Sequence, residues 1–173
     1  TRDEVAETLW PDADAAQKPL LLNSLLHRTR KVLEPDVPAT RGNSCIIQDG
    51  GLLSLNPHKV WTDIHEFSAL HATARQKRAS REQEAGKTLA LYDQAFSLYQ
   101  GDLLPGDLYH DWAQGQREHI RKIHAEMLTH AAVLTEAQDD RNRTFTYYER
   151  MFSLDPCNEM ACRWLMAWNL ASG

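Results

Sequence analysis

Three kinds of residue in this sequence could do chemistry. The stretch YQGDLLPGDLYHDW, residues 99–112, sets Asp102, Asp107 and Asp111 around two glycines and a proline. Eight histidines and three cysteines are spread along the chain. Neighbouring carboxylates can serve as acid and base, and His/Cys clusters can hold a metal. The spacing supports neither. His119 and His124 are five apart and His124 and His130 six apart, whereas i, i+4 is what puts two rings on one helical face. Cys157 and Cys162 are also five apart and lack the short Cys-x-x-Cys chelate. Nothing matches an acid and a base to a positioned nucleophile. There is no Gly-x-x-x-x-Gly-Lys loop, no Gly-x-Ser-x-Gly elbow and no His-Glu-x-x-His. The expectation is a non-enzyme with no cofactor and no metal.

The third kind is basic. His27, Arg28, Arg30, Lys31 and Arg41 cluster, with Ser24 one turn upstream. Such groups contact phosphates and add a salt-sensitive attraction to nucleic acid. The alternative is a solvated helix face with Glu34 and Asp36 nearby. The net charge of −5 argues against indiscriminate nucleic-acid binding. Beside this cluster, Leu22 and Leu26 suit a core, but Leu20, Leu21 and Leu25 spread around more than one helical stripe. Those three are candidates for a protein interface. Among the aromatic residues, Tyr148 and Trp168 are the first candidates to face a partner from a helical groove; packing between helices is the alternative.

These residues must be carried by helices and one hairpin. Thr1 and Glu4 have capping-box spacing, and Val5 and Leu9 follow on one face, so a helix opens the chain. A second helix is expected from about Ala15 to Leu33, with Leu22, Leu26 and Leu33 on its apolar stripe and Pro19 in its first turn. Asp49-Gly50-Gly51 between two short apolar runs is a hairpin signature. HKVWTD reads as a third short strand or an extended exit. Asp63 and Glu66 have capping-box spacing for a helix through Ile64, Phe67 and Leu70. The polar run 75–87 reads as a linker or an exposed helix end. Helices are expected through Leu89–Tyr99, about Tyr109–Ala137, TFTYYERMFSL and MACRWLMAWNLA, with turns at DDRNR and DPCNE. Gly101, Pro105 and Gly106 make a corner, anchored in the core by Leu103, Leu104 and Trp112.

The 173 residues suffice for one medium domain or two small ones. The 42% apolar and 25% charged content is that of a folded chain. No apolar run approaches the roughly 18 residues needed to span a bilayer. The odd, unframed cysteines suit a reducing cytoplasm. A start at Thr1, with no charged-then-apolar leader, suggests a piece of a longer chain. The fold class expected is mainly α. Two helices and a β-hairpin form part of a winged helix-turn-helix, and tetratricopeptide-like helical pairs follow.

Leu9-Trp10-Pro11, Trp61-x-Asp63-x-x-x-Phe67, Gly101-Asp102-Leu103-Leu104 with Trp112 and Arg117, and Asp155-Pro156-x-x-Glu159 together resemble the bacterial transcriptional activator family. This family comprises regulators of the antibiotic-regulatory-protein type. The resemblance implies that residues 1–67 are the carboxy-terminal part of an OmpR-like winged helix, entered at its second helix. It implies that 68–173 are the helical activator domain. It further implies a transcriptional regulator in the cytoplasm, away from membranes. Its partners would be promoter DNA, bound weakly by this fragment, and RNA polymerase, another regulatory protein or a second copy in a homodimer. The recognition helix would run from Ala16 to Leu33, with Arg28, Arg30 and Lys31 at basic positions. Two departures matter. Leu20, Leu21, Ser24 and Leu25 stand where relatives carry polar or basic residues, and leucine offers no donor or acceptor to a base edge. The wing reads Gly51-Leu52-Leu53-Ser54, without the usual arginine. The alternative is therefore a protein-interaction or dimerisation module whose degenerate winged helix does not bind DNA.

Overall fold

The computed structural model describes residues 1–35, 44–78, 85–107 and 111–172. The chain divides into two compact units, Thr1–Thr62 and Asp63–Gly173.

The first unit begins with α1, Arg2–Leu9. Its capping box is formed as expected: the Thr1 hydroxyl accepts the Glu4 N–H, and the Glu4 carboxylate reaches back to the amino terminus at 2.5 Å. Helix α2, Lys18–Leu33, carries Pro19 in its first turn, where a missing N–H leaves no helical bond unmade. Strands β1, Ile46–Asp49, and β2, Leu52–Leu55, pair antiparallel with Ile46 opposite Leu55 and Asp49 opposite Leu52. Gly50 and Gly51 make the turn at φ +52° and +81°, a conformation that side chains disfavour. HKVWTD contributes no strand; the chain turns at Asn56, whose amide donates to the Ser44 carbonyl at 3.1 Å.

Ala6, Leu22 and Leu26 are this unit's buried core, with Val5, Trp10, Ile46 and Leu53 packed against them. Leu33, expected on the α2 stripe, is 54% exposed. Arg30 and Glu34, on either side of it in the chain, take the hairpin-facing positions instead.

The second unit contains α3, Asp63–Arg78, and α4, Ala85–Leu98, packed as a pair. Helix α5, Gln114–Ala137, packs on α6, Arg141–Leu154, which packs on α7, Glu159–Ser172. Helices α5, α6 and α7 follow one another through short turns, and with α3 and α4 they make a repeat-like helical region. One contiguous core runs through them, from Phe67 and Leu70 through Tyr92 and Phe96 to Ile120, Met127, Tyr147 and Met151. Helix α5 lies mid-layer and buries a wide stripe, because it has neighbours on two sides. At its crossing with α6, the Thr144 hydroxyl donates to that of Thr135 at 2.9 Å, both fully buried.

The corner between α4 and α5 differs from the sequence expectation. Helix α5 starts at Gln114, after a 3-10 turn over Asp111–Ala113; Tyr109, where the sequence places its start, lies outside the described residues. Trp112 lies in that turn, out of phase with the α5 stripe, and is 57% exposed. Leu104 is 43% exposed at φ +53°. Neither anchors the corner in the core.

Candidate functional site

The basic cluster resolves into two groups by what each side chain touches. Arg30 is turned inward. Its Nη2 donates to the Ile46 carbonyl at 3.0 Å and its Nε to the Ser44 hydroxyl at 3.2 Å, clamping the hairpin to α2. Glu34 helps from the next turn, accepting the Ser44 hydroxyl at 2.8 Å and the Cys45 N–H. Those bonds hold its carboxyl below the usual range, the Cys45 N–H being the main cause. His27, Arg28 and Lys31 instead face solvent, as does Ser24. Arg41 lies outside the described residues.

Leu20, Ser24, His27, Arg28 and Lys31 are exposed and share one stripe of a 3.6-residue helix; Leu21, Asn23, Val32 and Leu33 are exposed beside it. The opposite face is pinned by Leu22 and Leu26. Leu20 is 70% exposed, Leu21 36% and Leu25 is half-buried. No Asp or Glu occurs in Lys18–Leu33. Lys18 pairs with Glu7 at 2.5 Å. The Asn23 carbonyl oxygen is taken by Arg2 at 2.6 Å, and the Arg2 N–H donates to the Gly51 carbonyl at 2.9 Å, which ties α1, α2 and the hairpin tip together. The stripe is a carboxylate-free surface with cations at one end, where Val32 is also 79% exposed, and a bare leucine at the other.

In the second unit, Asp102 of the corner is structural. Asp102 is gripped by both ends of the Arg121 guanidinium, at 2.7 Å through Nε, and that bond holds its carboxyl below the usual range. Arg117 is 2% exposed; its Nε donates to the Leu103 carbonyl at 2.9 Å and its Nη2 lies 3.5 Å from the Leu104 carbonyl. A cleft of about 390 Å³ beside the corner is lined by Asp63, Phe67, Tyr99, Asp102 and Leu103 among others. The Asp63 carboxylate caps its own helix at the Ile64 N–H, 2.8 Å away. Among the described lining residues, Asp63 and Asp102 thus have partners in the backbone or in arginine, and none is set up as a nucleophile.

Two aromatic clusters stand in the second unit. His124 stacks on Tyr99 with ring centroids 3.9 Å apart and meets Phe96 and Phe67 edge-on. Burial pushes its pKa down to about 4 and its Nδ1 has no hydrogen-bond partner. On α6 and α7, Tyr148, Trp164, Trp168 and Phe145 make a ladder with centroids 4.8, 5.3 and 5.5 Å apart in turn. Glu136 accepts at both oxygens, from the Tyr148 hydroxyl and from Trp164 Nε1, each at 3.3 Å. Tyr148 is 2% exposed and Trp168 half-buried. Met160, Met166 and Leu170 stand outside the ladder, at 44%, 66% and 86% exposure.

A profile of the bacterial transcriptional activator domain matches residues 62–173. The chain belongs to that family. No curated protein and no solved structure matches it. The match covers the second unit of this bacterial transcriptional activator domain protein and leaves α1, α2 and the hairpin outside. No helix among the described residues is long and apolar enough to cross a membrane.

Arg117 stands in a motif of the activator domain, and the structure reveals it as the buried anchor of the corner. The signal was available: Arg117, Ile120, Ile123 and His124 share one helical phase, and all four are buried. Glu136 carried no such signal, because its partners come from two other helices.

Proposed function

We propose that this chain is a transcriptional regulator that contacts DNA through the outward stripe of α2. Its activator domain contacts RNA polymerase, another regulatory protein or a second copy. The supporting observation is the carboxylate-free stripe on a helix followed by a β-hairpin, in a chain of the activator family. On this reading residues 1–67 are the carboxy-terminal part of an OmpR-like winged helix, 68–173 are the tetratricopeptide-like activator domain, and the protein works in the cytoplasm. Ser24, His27, Arg28 and Lys31 face the duplex. Arg30 positions the wing. Trp168, with the exposed apolar residues of α7, faces the protein partner.

A second reading has a specific observation in its favour. Leu20 is 70% exposed, and Leu52 is 57% exposed at the hairpin tip, where a DNA-reading wing carries a cation. Those two residues suit a protein surface on a winged helix that does not read DNA. Mobility shifts across a salt series separate the readings. Phosphate contacts give affinity that falls as salt rises and falls further in Arg28→Ala/Lys31→Ala. Indifference to both sinks the DNA reading.

A further inference from the structure

The residue that fits the DNA reading least well on its face carries the next step. Leu20 is the third residue of α2, in the first turn, on the same outward stripe as Ser24, His27, Arg28 and Lys31. At 70% exposure it is not part of the core that Leu22 and Leu26 build on the opposite side. The stripe has no carboxylate to repel a duplex. When a helix of this kind lies in the major groove, its amino-terminal residues reach the base edges and its later residues reach the backbone. That order matches the stripe, with Leu20 and Ser24 first and the cations after them. Leucine can neither donate nor accept, but the major groove displays one apolar group, the 5-methyl of thymine.

We propose that Leu20 reads a thymine methyl group, and that it is a specificity-determining residue of α2. This rests on the DNA-contact reading of the same stripe. The contact removes one methyl group and part of the leucine surface from water, so losing the methyl weakens binding by about fourfold. Ser24 and His27 supply the polar contacts next along the stripe. Neighbouring Asn23 has its carbonyl oxygen occupied by Arg2 and is not free to accept from a base.

The test uses the whole chain and a randomised duplex pool. Duplexes that survive selection are resynthesised with each thymine replaced in turn by deoxyuridine, which deletes the methyl and nothing else. The expected result is one thymine per binding site whose replacement weakens binding about fourfold. In Leu20→Ala that difference disappears while the salt dependence is kept. The proposal is overturned if no thymine responds, or if the response survives in Leu20→Ala. It is also overturned if Leu20→Ala leaves DNA binding intact but lowers the mass seen by light scattering, which makes Leu20 a protein contact. Recovery of no duplex at all, with binding insensitive to salt, removes the DNA reading itself and is distinguishable from these results.

Discussion

The Arg117 guanidinium, 2% exposed, donates to the carbonyl of Leu103 at 2.9 Å, fourteen residues back along the chain. A charged group is rarely so buried unless its donors are used. Here they satisfy backbone carbonyls in a corner where Gly101 sits at φ +141° and Leu104 at +53°, conformations that cost energy for most residues. Arg117 therefore holds strained backbone in place. Replacing it with Met, which has a similar apolar stem and no donors, leaves those carbonyls without their partner. The expected loss is about 2–4 kcal/mol in urea unfolding. Arg117→Lys recovers only part of it, because an ammonium lacks the planar fork. Equal stability of Arg117→Met and parent would show that the corner stands without this anchor.

Glu136 ties α7 to the rest of the layer through Tyr148 and Trp164. The Tyr148 hydroxyl is pushed up to about 12, first by burial and then by the Glu136 charge. Glu136→Gln removes the charge and keeps a carbonyl acceptor. The Tyr148 pKa should fall but remain above 10, since burial is unchanged. Alkaline titration of tyrosinate absorbance, read as variant minus parent, measures it. A shift upward or none would mean that the charge does not act on Tyr148.

His124 makes the second unit acid-sensitive. Its pKa is near 4 in the fold, against an ordinary value of 6.5. The unfolded chain binds its proton first as pH falls, so folding is penalised across that window. The contribution is complete above about pH 6.5 and is lost progressively down to about pH 4. Carboxylates titrate at the lower end, so the comparison must be with His124→Phe, which keeps a ring against Tyr99. The variant's melting temperature should change less between pH 7 and pH 5 than the parent's. Parallel curves would place the titration elsewhere.

How much of this could be read from the residues alone depended on whether one chain segment or several decided the outcome. The capping box of Thr1 and Glu4, the Gly50-Gly51 turn and the burial of Leu22 and Leu26 are local, and residue type with spacing reveals them. At the corner, hydrophobicity alone is a poor guide to Leu104 and Trp112. The 3-10 turn at Asp111–Ala113 shifts Trp112 out of helical phase, and the strained backbone turns Leu104 outward. Arg30 and Arg28 look alike in sequence and are two positions apart. Only the place of Ile46 and Ser44 across the hairpin separates a structural arginine from an exposed one.

That separation gives the sharpest test of the candidate site. Arg28 and Lys31 face solvent on the stripe, so each, if it meets a phosphate, contributes one released counterion. Arg28→Ala and Lys31→Ala should each flatten the plot of log affinity against log salt by about one unit. They should weaken all duplexes alike and leave the melting temperature unchanged. Arg30→Ala should behave in the opposite way. It loosens the hairpin on α2 by removing donors to the Ile46 carbonyl and Ser44, so it lowers stability by about 1–3 kcal/mol, while the salt slope of whatever protein remains folded is kept. If Arg30→Ala instead flattens the slope without loss of stability, the inward arginine is a phosphate contact and the exposed stripe is not the binding face.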